Sequence, residues 1–237
     1  MKVLFANEIK SATLTADTPN PSFPASNLAN DFARLKFKSL GFSDTVTAVF
    51  PANVSASCFF YTYTNATAMT LRLYSNASVL LDTITVDCTY ESGAEYFTQL
   101  DNVRTIEIDL SSPVDEDVYL GGIALGVEST FPYPLADFSK TLVDTSSKET
   151  SAHGQVSHNY IEPLTAYSLK FSNVNRDTTY DLLYTSFRSV GSGHIWADLT
   201  ELNHAVYQPL YCTSEMIESP TRKDTRVSFS LKLTEAR

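Results

Sequence analysis

The chain is poor in most of what enzyme signatures require. Glycine is scarce, at 8 of 237 residues, and no glycine-rich phosphate loop occurs. The nearest run, SVGSGH at 189–194, lacks the lysine of a P-loop. There is no G-x-S-x-G nucleophile elbow. Basic residues are few, 17 against 27 acidic ones, for a net charge of −10. That balance argues against a nucleic-acid binder held by phosphate contacts, which needs a basic face. Long apolar runs are also missing. The longest, YLGGIALGV at 119–127, falls well short of the ~20 residues of a spanning helix, so membrane insertion is not expected. The opening MKVLFANEIK holds only four apolar residues in a row, against about 7–15 in a secretory leader, so export by that route is not expected either. Cysteine is limited to Cys58, Cys88 and Cys212, with no CxxC pair. An odd number suits no closed disulfide framework. The three read as reduced, small apolar side chains, with a Cys58–Cys88 bridge as the alternative.

What the chain does have is 43% hydrophobic residues, 13 tyrosines, 14 phenylalanines and abundant threonine and serine. This is a globular composition that leans to β-structure, because aromatic and β-branched side chains suit a half-buried pleated surface. Period-two alternation confirms the lean. Met69, Leu71 and Leu73 alternate with Thr70 and Arg72, and Ile106, Ile108 and Leu110 with Glu107 and Asp109. Tyr167, Leu169 and Phe171 repeat the pattern, as do Val227, Phe229, Leu231 and Leu233. Each reads as a strand with one buried and one wet face, the habit of antiparallel sheets. Further strands are expected at 46–51, 54–63, 79–87, 117–126, 194–199 and 206–213. One segment breaks the pattern. Tyr180, Leu183, Tyr184 and Phe187 share a helical face, with Asp177 as the expected N-cap and Gly191 as the expected C-terminal stop. A single helix is expected near 178–190.

These elements divide the chain into a β-rich front, 1–127, a polar connector or arm, 128–160, and a rear β domain with one helix, 161–237. The expected fold class is mainly β: a front jelly-roll β-sandwich, and a rear β-sandwich or barrel with one short helix.

Candidate chemistry is sparse. Ser192 and His194 sit two apart in a turn, and His153 and His158 five apart in the connector. Neither pair makes a catalytic or zinc constellation, which needs a third and fourth partner. Asp115, Glu116 and Asp117 are adjacent carboxylates without the spacing of a calcium loop and read as a solvated turn. No catalytic residue, metal or cofactor is assigned, and the chain is read as not an enzyme. The sequons at Asn53, Asn65 and Asn76 sit at predicted strand ends, where Asn and Ser are turn formers. Phe59, Tyr61 and Tyr63 share one face of the strand 54–63, with Cys58 and Phe60 on the other. Either both faces are buried, or the rings form a platform for a sugar. Trp196, the only tryptophan, stands opposite Ile195, Ala197 and Leu199 and would mark an interface if exposed. Tyr61, Tyr63 and Trp196 are therefore the candidates for interface or glycan contact.

Several segments resemble a known family. FPASNLANDFARLKFKS at 23–39, NATAMTLRLYSNASVLLD at 65–82 and TIEIDL…VYLGGIALG over 105–126 are similar to the N-terminal module of certain tailed-bacteriophage virion proteins, a galactose-binding-like (discoidin-type) jelly roll. The matching positions are Pro24, Asn27, Leu28, Lys38, Ser39, Leu73, Tyr74, Leu125 and Gly126, with Phe37 where that family often has tryptophan. The rear half resembles the β-sandwich-plus-helix fold of tail-tube and distal-tail proteins. The resemblance implies a structural component of a phage tail tip or baseplate, assembled in the host cytoplasm into the virion. It would act through ring contacts with copies of itself and with other tail proteins. A carbohydrate-binding module for host-surface attachment is the alternative, and a polysaccharide hydrolase the third.

Overall fold

A computed structural model describes residues 1–30, 35–113, 116–131, 138–144, 146–150, 156–159, 164–190, 194–199, 210–223 and 226–236. In chain order its strands are β1 (Lys2–Leu4), β2 (Thr13–Ala16), β3 (Phe37–Lys38), β4 (Ser43–Thr62), β5 (Ala68–Tyr74), β6 (Leu80–Val86), β7 (Gly93–Ser111), β8 (Tyr119–Leu120) and β9 (Gly122–Gly126). There follow β10 (Ser129–Thr130), β11 (Phe138–Val143), β12 (Ser147–Thr150), β13 (Val156–Asn159) and β14 (Leu164–Asn175), then the helix α1 (Asp181–Val190), β15 (Ile195–Asp198), β16 (Leu210–Lys223) and β17 (Arg226–Glu235). The protein is mainly β with one short α-helix among the described residues, as its alternation predicts. Two units divide it: Met1–Phe131 with Ile195–Tyr211, and Pro132–His194 with Cys212–Ala236.

The first unit is a β-sandwich organised by two long antiparallel strands, β4 and β7. Near their Ser43/Ser111 end they sit in the order β2-β4-β7-β5-β6. Near the Tyr61/Gly93 end β4 pairs instead with β9, Cys58 opposite Gly126 and Tyr61 opposite Ile123. Between these ends the register shifts at Val49/Val54, Val54/Ala56 and Ala56/Cys58. The shifts have a visible consequence. Val46, Ala48 and Phe50 face the core on the early part of β4, but Phe59 and Tyr61 face it on the late part. A bulge adds a residue to one strand, and each added residue turns the following side chains to the other face. The expected strands 46–51 and 54–63 are therefore one continuous, bent strand. All six core-facing residues predicted for β5 and β7 (Met69, Leu71, Leu73, Ile106, Ile108, Leu110) are buried in one cluster with Phe59, Tyr61, Ile123 and Leu125.

The opposite side of late β4 is buried as well. Cys58 and Phe60 are 0% exposed beneath the paired strands β10, β1 and β15. Phe60 packs on Tyr96 (centroids 6.1 Å) and on Trp196 (5.8 Å), and the Tyr96 hydroxyl donates to Asp198 at 2.7 Å. Gly126 is needed for this layer. A Cβ there would lie 2.7 Å from the Ala6 carbonyl oxygen and 2.8 Å from Leu4 Cδ1.

The motif residues have identifiable tasks. Pro24 caps a 3-10 turn, Ala25–Ala29, that buries Leu28 and lets Asn27 Nδ2 donate to the Lys36 carbonyl at 3.1 Å. Ser39 is fully buried and shares a hydrogen bond with Thr18 Oγ1 at 3.0 Å.

In the second unit the sheet order is β16-β17-β14-β11. Phe171 and Phe229 stack at 4.6 Å, and Tyr180 meets Phe229 edge-on at 5.4 Å. The helical segment opens with a π-helical turn, Arg176–Tyr180, ahead of α1. Its N-cap is Asn175, whose Oδ1 accepts from Thr178 N–H at 3.1 Å, rather than the expected Asp177. The wider π turn starts the helical segment two residues earlier than the 3.6-residue pattern indicates. The segment expected as a connector, 128–160, contributes strands β10, β11, β12 and β13, with β12 and β13 paired antiparallel. Gly191 lies outside the described residues.

Candidate functional site

One end of the first unit gathers the loops that follow β4, β6 and the Ser111 end of β7. Tyr63, in the left-handed region at φ 52°, turns the chain sharply out of β4. Thr62 Oγ1 and Ser92 Oγ share a hydrogen bond at 2.8 Å, and Thr64 N–H donates to the Glu91 carbonyl at 3.0 Å, which joins the first two loops. The third is fastened by Asn65. Its Oδ1 accepts from Tyr119 N–H at 2.9 Å, and its Nδ2 donates to the Asp117 carbonyl at 3.1 Å and to Glu116 Oε2 at 3.4 Å. Thr64 Oγ1 donates to the Tyr119 carbonyl at 2.8 Å. Tyr119 is thus held at both its backbone groups.

Side chains of contrasting chemistry converge here. Lys36 Nζ sits 3.9 Å over the Tyr119 ring, and Lys38 Nζ pairs with Asp117 at 3.1 Å. The Tyr119 hydroxyl pKa is raised by partial burial and by the carboxylates of Glu91 and Glu116, which keeps it a neutral donor. Tyr90 is 53% exposed, and Leu40 and Phe42 present apolar side chains on the segment leading into β4. Exposed rings beside carboxylate, amide and ammonium groups suit a ligand with both flat apolar faces and hydroxyls. Among the described residues no group of three or more His, Cys, Asp or Glu side chains could hold a metal ion.

Of the three residues singled out from the sequence, Tyr61 lies on the strand that leads to this end and Tyr63 just beyond it. Tyr61 is 1% exposed, with its ring in the sandwich core and its hydroxyl donated to the carbonyl of Asp87. It shows no ring face to a ligand. Tyr63 is half-buried, with its backbone N–H 3.4 Å from Ser92 Oγ. Trp196 is 4% exposed against Phe60, so the exposure that would mark it as an interface is absent. Lys36, Tyr90 and Tyr119 fall in no sequence signal for a site, Asn65 stands out in the sequence only as a sequon and Lys38 only as a position of the family resemblance. Lys36 and Lys38 lie at β3 and Tyr119 on its partner strand β8, while Asn65 and Tyr90 lie in the loops after β4 and β6, so the fold alone brings them together. Asp115, His153 and Ser192 lie outside the described residues.

No protein-family model matches the chain, and no curated protein matches it. Solved structures do resemble it over about half its length. Chitosan-binding module 1 of a chitosanase/glucanase from Paenibacillus sp. IK-5 covers 52% of this chain and 99% of its own, at 12% identity and a TM-score of 0.45. A fucose-binding module from Streptococcus pneumoniae covers 51% and 94%, at 14% identity and a TM-score of 0.44. A family 32 carbohydrate-binding module from C. perfringens, in complex with galactose, covers 54% and 100%, at 13% identity and a TM-score of 0.45.

Proposed function

We propose that the first unit is a non-catalytic glycan-binding module whose ligand lies across the loop end around Tyr119. The observation that carries this reading is the fixing of Tyr119. Its N–H and carbonyl are tied by Asn65 and Thr64, and Lys36, Glu91 and Glu116 surround its side chain. A ring held this way loses little freedom on binding, so a sugar face stacked on it forfeits less affinity to ordering. The carboxylates and the Asn65 amide supply partners for hydroxyls. A glycan array probed with the full chain tests the reading. Chitosan, fucose and galactose, ligands of the three modules above, belong in the panel. Binding that is lost in Tyr119→Ala, with the fold retained, is the expected result. Silence across a diverse array overturns it.

A second reading, a subunit of a phage tail ring, draws on the apolar side chains the second unit exposes: Leu142 at 70%, Leu182 at 50% and Tyr184 at 47%. Ring contacts of that kind need about 2,000 Å² of surface, and apolar patches supply them. None of the three structures named above is a tail protein. Light scattering on the full chain tests this reading: a closed oligomer is expected, and a monomer at all concentrations counts against it.

A further inference from the structure

We infer that Asp82 guards the outer edge of β6 and keeps the sandwich from joining edge to edge with a second copy of itself. β6 ends the sheet order β2-β4-β7-β5-β6, with β5 as its one strand partner among the described residues. Such an edge is a template for another strand. β6 is a good template by composition: LLDTITV holds four aliphatic residues, two threonines and one charge. Val79 and Leu80, at its start, are 59% and 50% exposed.

The single charge is placed where it obstructs pairing. Asp82 stands opposite Leu73, as Ile84 stands opposite Leu71 and Val86 opposite Met69, and all three of those partners are buried. Asp82 therefore occupies the core-side row of the sheet at its rim, half-buried where a hydrophobic residue would continue the pattern. Its Oδ1 accepts from the backbone N–H of Thr83 at 2.8 Å. A strand added to β6 would close over this carboxylate and strip its water, and it would compete for the Thr83 N–H. Burying an unpaired carboxylate is costly enough to offset a short ladder of strand hydrogen bonds. In an antiparallel, two-fold pairing of β6 with β6 of a second copy, two Asp82 carboxylates are enclosed, so the penalty doubles.

Light scattering after size exclusion on the full-length chain tests this. Asp82→Val is expected to double the mass of the wild-type species and to tighten self-association by roughly a hundredfold. Leu80→Lys added to Asp82→Val restores a charge at the same edge and is expected to return the wild-type mass. Circular dichroism separates pairing from unfolding. Asp82→Val that keeps the wild-type mass overturns the inference. So does Asp82→Val that aggregates whether or not Leu80→Lys is present, since that outcome reports a damaged fold instead of an opened edge.

Discussion

Asn65 clamps the chain leading into Tyr119 with both ends of its side-chain amide, accepting from Tyr119 N–H at 2.9 Å and donating to the carbonyl of Asp117, two residues earlier, at 3.1 Å. One side chain thereby fixes the loop that carries the most constrained aromatic ring of the site. Asn65→Ala is expected to destabilise the fold by about 1–3 kcal/mol, the range for orphaning buried or half-buried hydrogen-bonding groups. It should also weaken glycan binding more than that loss of stability explains. Urea unfolding and a binding isotherm on the same preparation separate the two effects.

Asp44 is expected to be the most sensitive carboxylate of the first unit. It is 7% exposed, and its Oδ1 accepts from the N–H groups of Asp17, Thr18 and Thr45 at 3.0, 3.2 and 2.8 Å. Its Oδ2 accepts from Thr18 Oγ1 at 3.0 Å. Asp44→Ala leaves several donors without a partner at once, at a cost of about 3 kcal/mol in urea unfolding. Asp44→Asn keeps one acceptor and should recover part of it.

Gly126→Ala tests the layer over late β4. The new methyl would meet the Ala6 carbonyl at 2.7 Å, and backbone on that side has no room to yield. Overpacking of this kind costs about 1–3 kcal/mol. The indole fluorescence of Trp196, in the same layer, should shift as its packing on Phe60 loosens.

Alkaline pH should destabilise the fold through its buried thiols. Cys88 is pushed up to about 11 from 9.0 by burial, with the charges of Asp87 and Glu95 adding to it. Burial likewise raises Cys58 and Cys212. A thiol with a raised folded-state pKa holds its proton more tightly in the native chain. Its contribution to stability is complete below pH 9 and is lost as pH rises from there through the native value. The melting temperature should therefore fall from pH 9 upward, and the slope should lessen in Cys88→Ala. At pH 8 the three thiols should resist alkylation in the native chain and react readily in urea.

Much of the sandwich was legible in the residues themselves. The alternations in β5, late β7, β14 and β17 each put the predicted side chains in the interior, because period two is a direct record of which face is wet. Pro51 marks the first register shift on β4, between the expected strands 46–51 and 54–63. That the two are one bent strand, and that its late part buries both the Tyr61 face and the Cys58 and Phe60 face, is not decided by spacing alone. The layer over that face depends on β1 and β15, at opposite ends of the sequence, and Trp196 alone gives no sign of being covered. The loop-end site was hidden for a similar reason. Lys36, Asn65, Tyr90 and Tyr119 are far apart in sequence, and none sits in a motif that announces binding. The sequon at Asn65 was visible, but its amide turns out to serve as an internal clamp.

Whether the loop end around Tyr119 holds a sugar is tested by isothermal titration of the full chain, wild type beside Tyr119→Ala and Tyr90→Ala, against the strongest glycan from an array. Saturable binding is expected, weakened by about 1–3 kcal/mol, roughly five- to a hundredfold, in each variant by removal of a stacking ring. Binding that is unchanged in both variants, with native circular dichroism, would contradict it.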